Sequence, residues 1–189
     1  DISWSFQQVF TPEAGETWMT ERGFQVAELL LGKGAEGKAL TLALATCIDA
    51  FDSEKDEVAR KFARRLLQSP VDVNYEDGLV LQKAAQKGDA HLIQQLLNQK
   101  PSSLAVSLAF PYIFEAGLDE SEVLRLIHVF ADYRNGEDGL DTVLNHPSFM
   151  PILFHALDRF PRSVDILEAL LNAGYYHDQV TRVRVTDEV

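Results

Sequence analysis

Cysteine occurs once in the 189 residues, at Cys47. A lone thiol closes no internal disulfide and builds no structural zinc site by itself, which fits a reducing, intracellular compartment, with the cytoplasm as the expected one. Basic residues are scarce beside acidic ones: 17 Lys and Arg against 29 Asp and Glu leave a formal charge of −12. That balance repels phosphate backbones and anionic bilayers, and so argues against nucleic-acid and membrane-surface partners. Long hydrophobic runs are missing as well. The longest, LAVSLAFPYIF at 104–114, is too short to span a bilayer, and no charged-then-apolar leader opens the chain. Asp1 rather than a methionine comes first, as expected of a processed chain or of a piece excised from a longer one.

Local catalytic and ligand patterns are also lacking. The five histidines, His91, His128, His146, His155 and His177, form no H-x-x-x-H or H-E-x-x-H pair. Cys47 lies in the apolar stretch LALATCIDAF, where a cysteine acts as a small core residue. The loop DYRNGEDGLD at 132–141 has the flavour of a calcium site, but Arg134 stands at the third ligand position and no glutamate closes the loop, so a solvated connection is expected. No nucleophile, paired base or metal constellation remains, and the expectation is a non-enzyme without cofactor or metal.

One stretch tests that expectation. In LLLGKGAEGKAL, residues 29–40, Gly32, Gly34 and Gly37 satisfy the dinucleotide spacing, and Gly32, Gly37 and Lys38 satisfy most of a phosphate loop. Either motif needs a strand in front of it, and the phosphate loop needs a hydroxyl after the lysine. Val26, Leu29 and Leu30 instead have helical spacing, and Ala39 stands where the hydroxyl belongs. The glycines therefore read as the end of one helix and the start of another.

What is present is a recurring helix-turn-helix. Its second members are VAELLLGKGA at 26–35, FARRLLQSPVDVN at 62–74, LIQQLLNQKP at 92–101, LRLIHVF at 124–130 and ILEALLNAGYY at 166–176. Aligned on Leu31, Leu67, Leu97, His128 and Leu171, they step by 36, 30, 31 and 43 residues. Such a unit buries its apolar stripe only by stacking on its neighbours. Gly34 and Gly174 fall just past helix ends, where a left-handed residue closes the cap. VDVNYEDG at 71–78 alternates β-branched residues before a turn cluster, and reads as an extended finger. Arg60, Lys61, Arg64 and Arg65 give one helix a basic face, with Asp56–Arg60 and Glu57–Lys61 as i,i+4 pairs and solvent as its expected neighbour.

These segments resemble the ankyrin repeat family. VAELLLGKGA and ILEALLNAG are similar to its outer-helix end, VDVN to its linker, and LVLQKAAQKGDAHLIQQLL at 79–97 to its core, while Pro111 and Pro151 fall on its proline position. No unit carries the full T-P-L-H, and the second unit is about eleven residues long in excess. The resemblance implies an all-α solenoid of four to five stacked helix pairs with short finger loops. It forms one domain over 1–189, with units near 11–36, 37–74, 75–107, 108–147 and 148–176 and a tail at 177–189. It further implies a protein-interaction scaffold whose concave face grips another protein or another domain of its chain, the net charge favouring a basic surface; an intramolecular spacer is the alternative, and an enzyme on a helical scaffold the remote one. Residues expected on the binding face are Asn74, Tyr75, Glu76 and Asp77 at one finger, Asn135, Glu137 and Asp138 at another, and Gln82, Gln86, Lys87, Tyr112 and Glu115 on inner helices.

Overall fold

In a computed structural model of the chain, the described residues are 1–15, 17–51, 56–135, 138–139 and 152–174. Their regular structure is helical, apart from one ladder of two short strands. The helices are α1 (Ile2–Val9), α2 (Glu21–Gly32), α3 (Lys38–Asp49), α4 (Asp56–Leu66), α5 (Leu79–Lys87) and α6 (Ala90–Leu97). They continue as α7 (Ser103–Ala109), α8 (Tyr112–Glu115), α9 (Glu120–Ala131), α10 (Ile152–Arg159) and α11 (Val164–Asn172). The ladder pairs β1 (Arg134–Asn135) with β2 (Asp138–Gly139) in antiparallel register. Pro151 and the tail at 177–189 lie outside the described residues. Among the described residues no helix is long and apolar enough to cross a membrane.

Helix starts are set by side-chain capping of otherwise unpaired backbone N–H groups. The Thr20 hydroxyl accepts from Gly23 N, the Asp89 carboxylate from Leu92 N, the Ser102 hydroxyl from Ala105 N and the Ser163 hydroxyl from Ile166 N. Asp119 and Glu122 complete a reciprocal capping box at the head of α9. The ends are equally local: Gly34 and Gly174 take φ of 94° and 101°, just past α2 and α11.

Each helix uses its apolar stripe against several others. α1 packs on α2 and α3, α3 on α4 and α5, α5 on α6, α7 and α8, and α8 on α9 and α10. α6, α9 and α11 touch in succession on the other side. The core runs along this arrangement, with Phe6, Leu40, Leu44, Ile48, Phe62, Leu81, Ile93, Leu96, Phe110 and Phe130 fully buried. Cys47 is buried among them, as expected, and burial pushes its thiol well above the ordinary range.

Hydrogen bonds stitch successive units together. Ser3 Oγ accepts from Glu36 N at 3.1 Å. Thr41 Oγ1 both donates to Asp72 O and accepts from Asp72 N, each at 3.2 Å. Asn74 Oδ1 accepts from Ser102 N at 2.7 Å, and the buried Tyr133 hydroxyl donates to Pro101 O. These bonds join residues 28 to 33 positions apart, close to the step between helix pairs.

Three features depart from the expectations. Residues 2–9 form a helix although the first unit was expected to begin at 11; Asp1 caps it, and Phe6 is fully buried. The helix before Pro111 starts at Ser103, so the boundary expected between 107 and 108 falls inside α7. VDVNYEDG pairs with no strand among the described residues. Val71 and Val73 do alternate inward, but Tyr75–Asp77 is a 3₁₀ turn closed by Gly78, and Glu76, Asp77 and Gly78 take φ of 47°, 54° and 88°. Gly78 is forced there: a Cβ would lie 2.7 Å from that of Ala105.

Gly23 answers a different constraint. It is helical, yet a Cβ on it would stand 1.9 Å from the Thr17 carbonyl oxygen, a backbone atom that cannot swing away. Gly23→Ala, ordinarily favourable in a helix, is expected to destabilise the protein by about 1 to 3 kcal/mol, because the 3₁₀ turn at Thr17–Met19 must move off α2. Urea unfolding monitored by circular dichroism reads this. Unchanged or raised stability would mean that the turn does not sit against α2.

Candidate functional site

The glycine-rich stretch contains no strand. Helix α2 precedes it and α3 comes after, with Gly37 at φ 66° capping α3 and Ala39 buried in the core where a magnesium-binding hydroxyl would be required. Lys38 begins α3 with its side chain exposed. The geometry is that of a helix–turn–helix connection. Among the described residues no three His, Cys, Asp or Glu side chains converge as metal ligands.

A hollow of about 640 Å³ lies where α1, α3 and α5 lie side by side. Its floor and walls are apolar: Phe10 from the end of α1, Trp18 and Met19 from the 3₁₀ turn, Leu42 and Ala45 from α3, and Leu79 from α5. Polar groups ring it, namely Gln7, Thr11, Thr46, Asp49 and Lys83. Lys83 Nζ reaches Asp49 Oδ1 at 2.5 Å, linking α5 to α3 across one edge. The local sequence explains the placement. On α3, Leu42, Ala45, Thr46 and Asp49 have helical spacing and line the hollow, while Leu40, Ala43, Leu44, Cys47 and Ile48 fill the core. On α5, Leu79, Gln82, Lys83 and Gln86 form the corresponding stripe, against the buried Val80, Leu81, Ala84 and Ala85.

None of the residues expected on a binding face is among those that line this hollow. Gln82 Nε2 donates to Asp77 O at 3.0 Å, tying α5 to the finger, and Gln86 is exposed one turn further on. The Tyr75 hydroxyl is hydrogen-bonded to the Glu76 carboxylate, which raises its pKa above the ordinary tyrosine value. Glu76 and Asp77 are exposed. Asn74 and Lys87 carry structural bonds: Asn74 accepts from Ser102 N, and Lys87 Nζ donates to Phe51 O at 3.0 Å, beyond the end of α3. Tyr112 is half-buried and Glu115 exposed, both on α8. Asn135 and Asp138 are paired in the ladder, and Glu137 lies outside the described residues.

Reading the sequence for fingers missed the hollow itself. A signal was present in Leu42 and Leu79, two large apolar residues on the polar stripes of their helices. The basic face of α4 also proves more structural than expected. Asp56–Arg60 forms as an i,i+4 pair at 2.8 Å, but Arg60 also reaches Asp89 at 2.5 Å and covers the Phe51 ring at 4.3 Å. Arg65 pairs with Glu28 at 3.3 Å, and Lys61 lies 5.0 Å from the Phe24 ring centroid. Glu57 and Lys61, expected as a pair, form no ion pair with each other.

Comparison with known proteins identifies no matching family model, no matching curated protein and no matching solved structure.

Proposed function

We propose that this chain is a protein-interaction module, an ankyrin-like array of helix pairs that grips another protein, or another domain of its own chain, on the face made by α1, α3 and α5. The observation that carries the reading is the open hollow of about 640 Å³, apolar on its floor and polar around its rim. A site of that character anchors one or two large side chains while the rim fixes their orientation. The array is supported by the succession of helix pairs, each packed on the next, and by hydrogen bonds from helices and turns to the turns of the next unit at a spacing near the repeat step. It is supported too by the resemblance of the outer-helix ends to the ankyrin pattern, whose concave face is built from inner helices and fingers.

Leu42→Glu is the direct test, because Leu42 borders the hollow without being fully buried. Affinity capture with the wild-type protein is expected to retain a defined set of proteins that the variant releases, with affinity reduced at least about tenfold and the helical spectrum unchanged. Equal capture by both proteins would remove the face from consideration.

A second reading, a spacer that stacks on neighbouring segments of its own chain, is favoured by the two ends. Trp4 and Leu29 are each 61% exposed at one end, and Val164 and Leu171 are 71% and 53% exposed at the other. Loss of capture on Leu29→Glu, with Leu42→Glu silent, would select the spacer.

A further inference from the structure

Helices α2, α4, α6, α9 and α11 form one succession. Arg65 of α4 pairs with Glu28 of α2, Arg60 of α4 pairs with Asp89 at the cap of α6, and α6, α9 and α11 touch in turn. The succession therefore ends in α2 on one side and in α11 on the other. On α2 the outward face is the stripe Arg22, Val26, Leu29 and Lys33, four exposed residues at helical spacing. It is turned from Phe24, whose ring packs on Phe62 of α4. On α11 the outward face is Val164, Glu168 and Leu171, with the exposed Asp165 beside them, opposite the buried Ile166, Ala169 and Leu170. Both faces are apolar in part, and their charges are opposite. Arg22 and Lys33 are bases, whereas Asp165 and Glu168 are the charged residues of α11. None of these four forms an ion pair among the described residues, and the nearby Glu28 is already taken by Arg65.

We propose that a second copy of this chain covers these ends, with α11 of one molecule stacking head to tail on α2 of the next. Val164 and Leu171 then lie against Val26 and Leu29, and Asp165 and Glu168 face Arg22 and Lys33. The two faces complement each other in apolar surface and in charge, yet stand at opposite ends of the succession and are exposed in the single molecule, so a second copy is what brings them together. The joint repeats what already holds α4 to α2, an apolar contact with an ion pair beside it. Its occupant differs from that of the spacer reading, and its residues differ from those of the α1, α3 and α5 face. A contact between unlike faces leaves one face free at each end, so it extends into a row instead of closing as a pair. The charge of −12 on each copy opposes the stack. Beyond about 8 Å that repulsion is largely screened at physiological salt, whereas the facing stripes are in contact.

Sedimentation velocity of the intact chain, from roughly 10 to 500 μM, is the test. The average mass of the wild type is expected to climb with concentration and to pass that of a dimer. Leu29→Glu and Leu171→Glu, both at exposed positions, should each stay monomeric. An equimolar mixture of the two should form a dimer and stop there, since each supplies the face that the other lacks. Arg22→Glu and Glu168→Lys should each weaken association about three- to tenfold, and both changes in one chain should restore it to within about twofold. Leu42→Glu, in the hollow, should sediment like the wild type, so that the α1, α3 and α5 face and this contact are judged separately. A wild type that stays monomeric throughout would overturn the proposal. So would association abolished at one end and untouched at the other, a mixture that forms no dimer, a charge swap that recovers nothing, or loss of association in Leu42→Glu.

Discussion

Phe62→Ala is expected to cost about 3 to 5 kcal/mol and to loosen the N-terminal helix pairs before the rest of the molecule. Phe62 is fully buried on α4. Its ring centre lies 5.0 Å from Phe24, 5.4 Å from Phe10 and 6.3 Å from Trp18, so one side chain joins α4 to α2 and to the turns that close the hollow. Truncation removes the apolar contact area and leaves a cavity that three rigid rings cannot collapse to fill. A domain is stable by only about 5 to 15 kcal/mol, so the loss is a large share of the total. Urea unfolding measures it. Trp18 is 2% exposed and Trp4 61%, so a red shift of tryptophan emission ahead of the loss of helix would report opening at Trp18. A cost under about 1 kcal/mol would mean that the aromatic cluster is not packed as described.

Leu96→Ala is expected to cost about 2 to 5 kcal/mol, with a different distribution. Leu96 is fully buried on α6, a helix that touches α5 on one side and α9 on the other. A cavity there weakens two interfaces in the middle of the chain rather than one near its start. Hydrogen exchange should accelerate in α5, α6 and α9 together, whereas Phe62→Ala should first accelerate α2 and α4. A loss under about 0.5 kcal/mol for Leu96→Ala would show that α6 is not held between its neighbours.

Much of the helical framework was legible from local chemistry. Gly34 and Gly174 announced helix ends because a left-handed cap depends only on the few residues around it. The apolar stripes of Leu92, Ile93, Leu96 and Leu97 or of Val123, Leu126, Ile127 and Phe130 repeat within two turns. Helix α1 could have been read in the same way, from the capping Asp1 and the spacing of Phe6 and Phe10. The finger at 71–78 was harder. The alternation of Val71 and Val73 is real, but the turn after it closes on a left-handed Gly78 that lies against Ala105, 27 positions along the chain, where there is no room for a Cβ.

The candidate site lies mostly beyond that local reach. The ankyrin resemblance put Gln82 and Gln86 on the binding face of an inner helix, but only the packing of α1, α3 and α5 sets Leu79 beside Leu42 and Phe10 around a hollow. Asn74 and Lys87 look like recognition residues in sequence and serve as stitches in space, one to Ser102 and the other to Phe51. Arg60 looks like a surface base and bridges α4 to the cap of α6. Helix period, capping and net charge act within a turn or over the whole chain, so composition and order alone carry them. Which side chain meets which across 28 to 36 residues depends on how whole helices stack, and that is a property of the assembled core rather than of any segment.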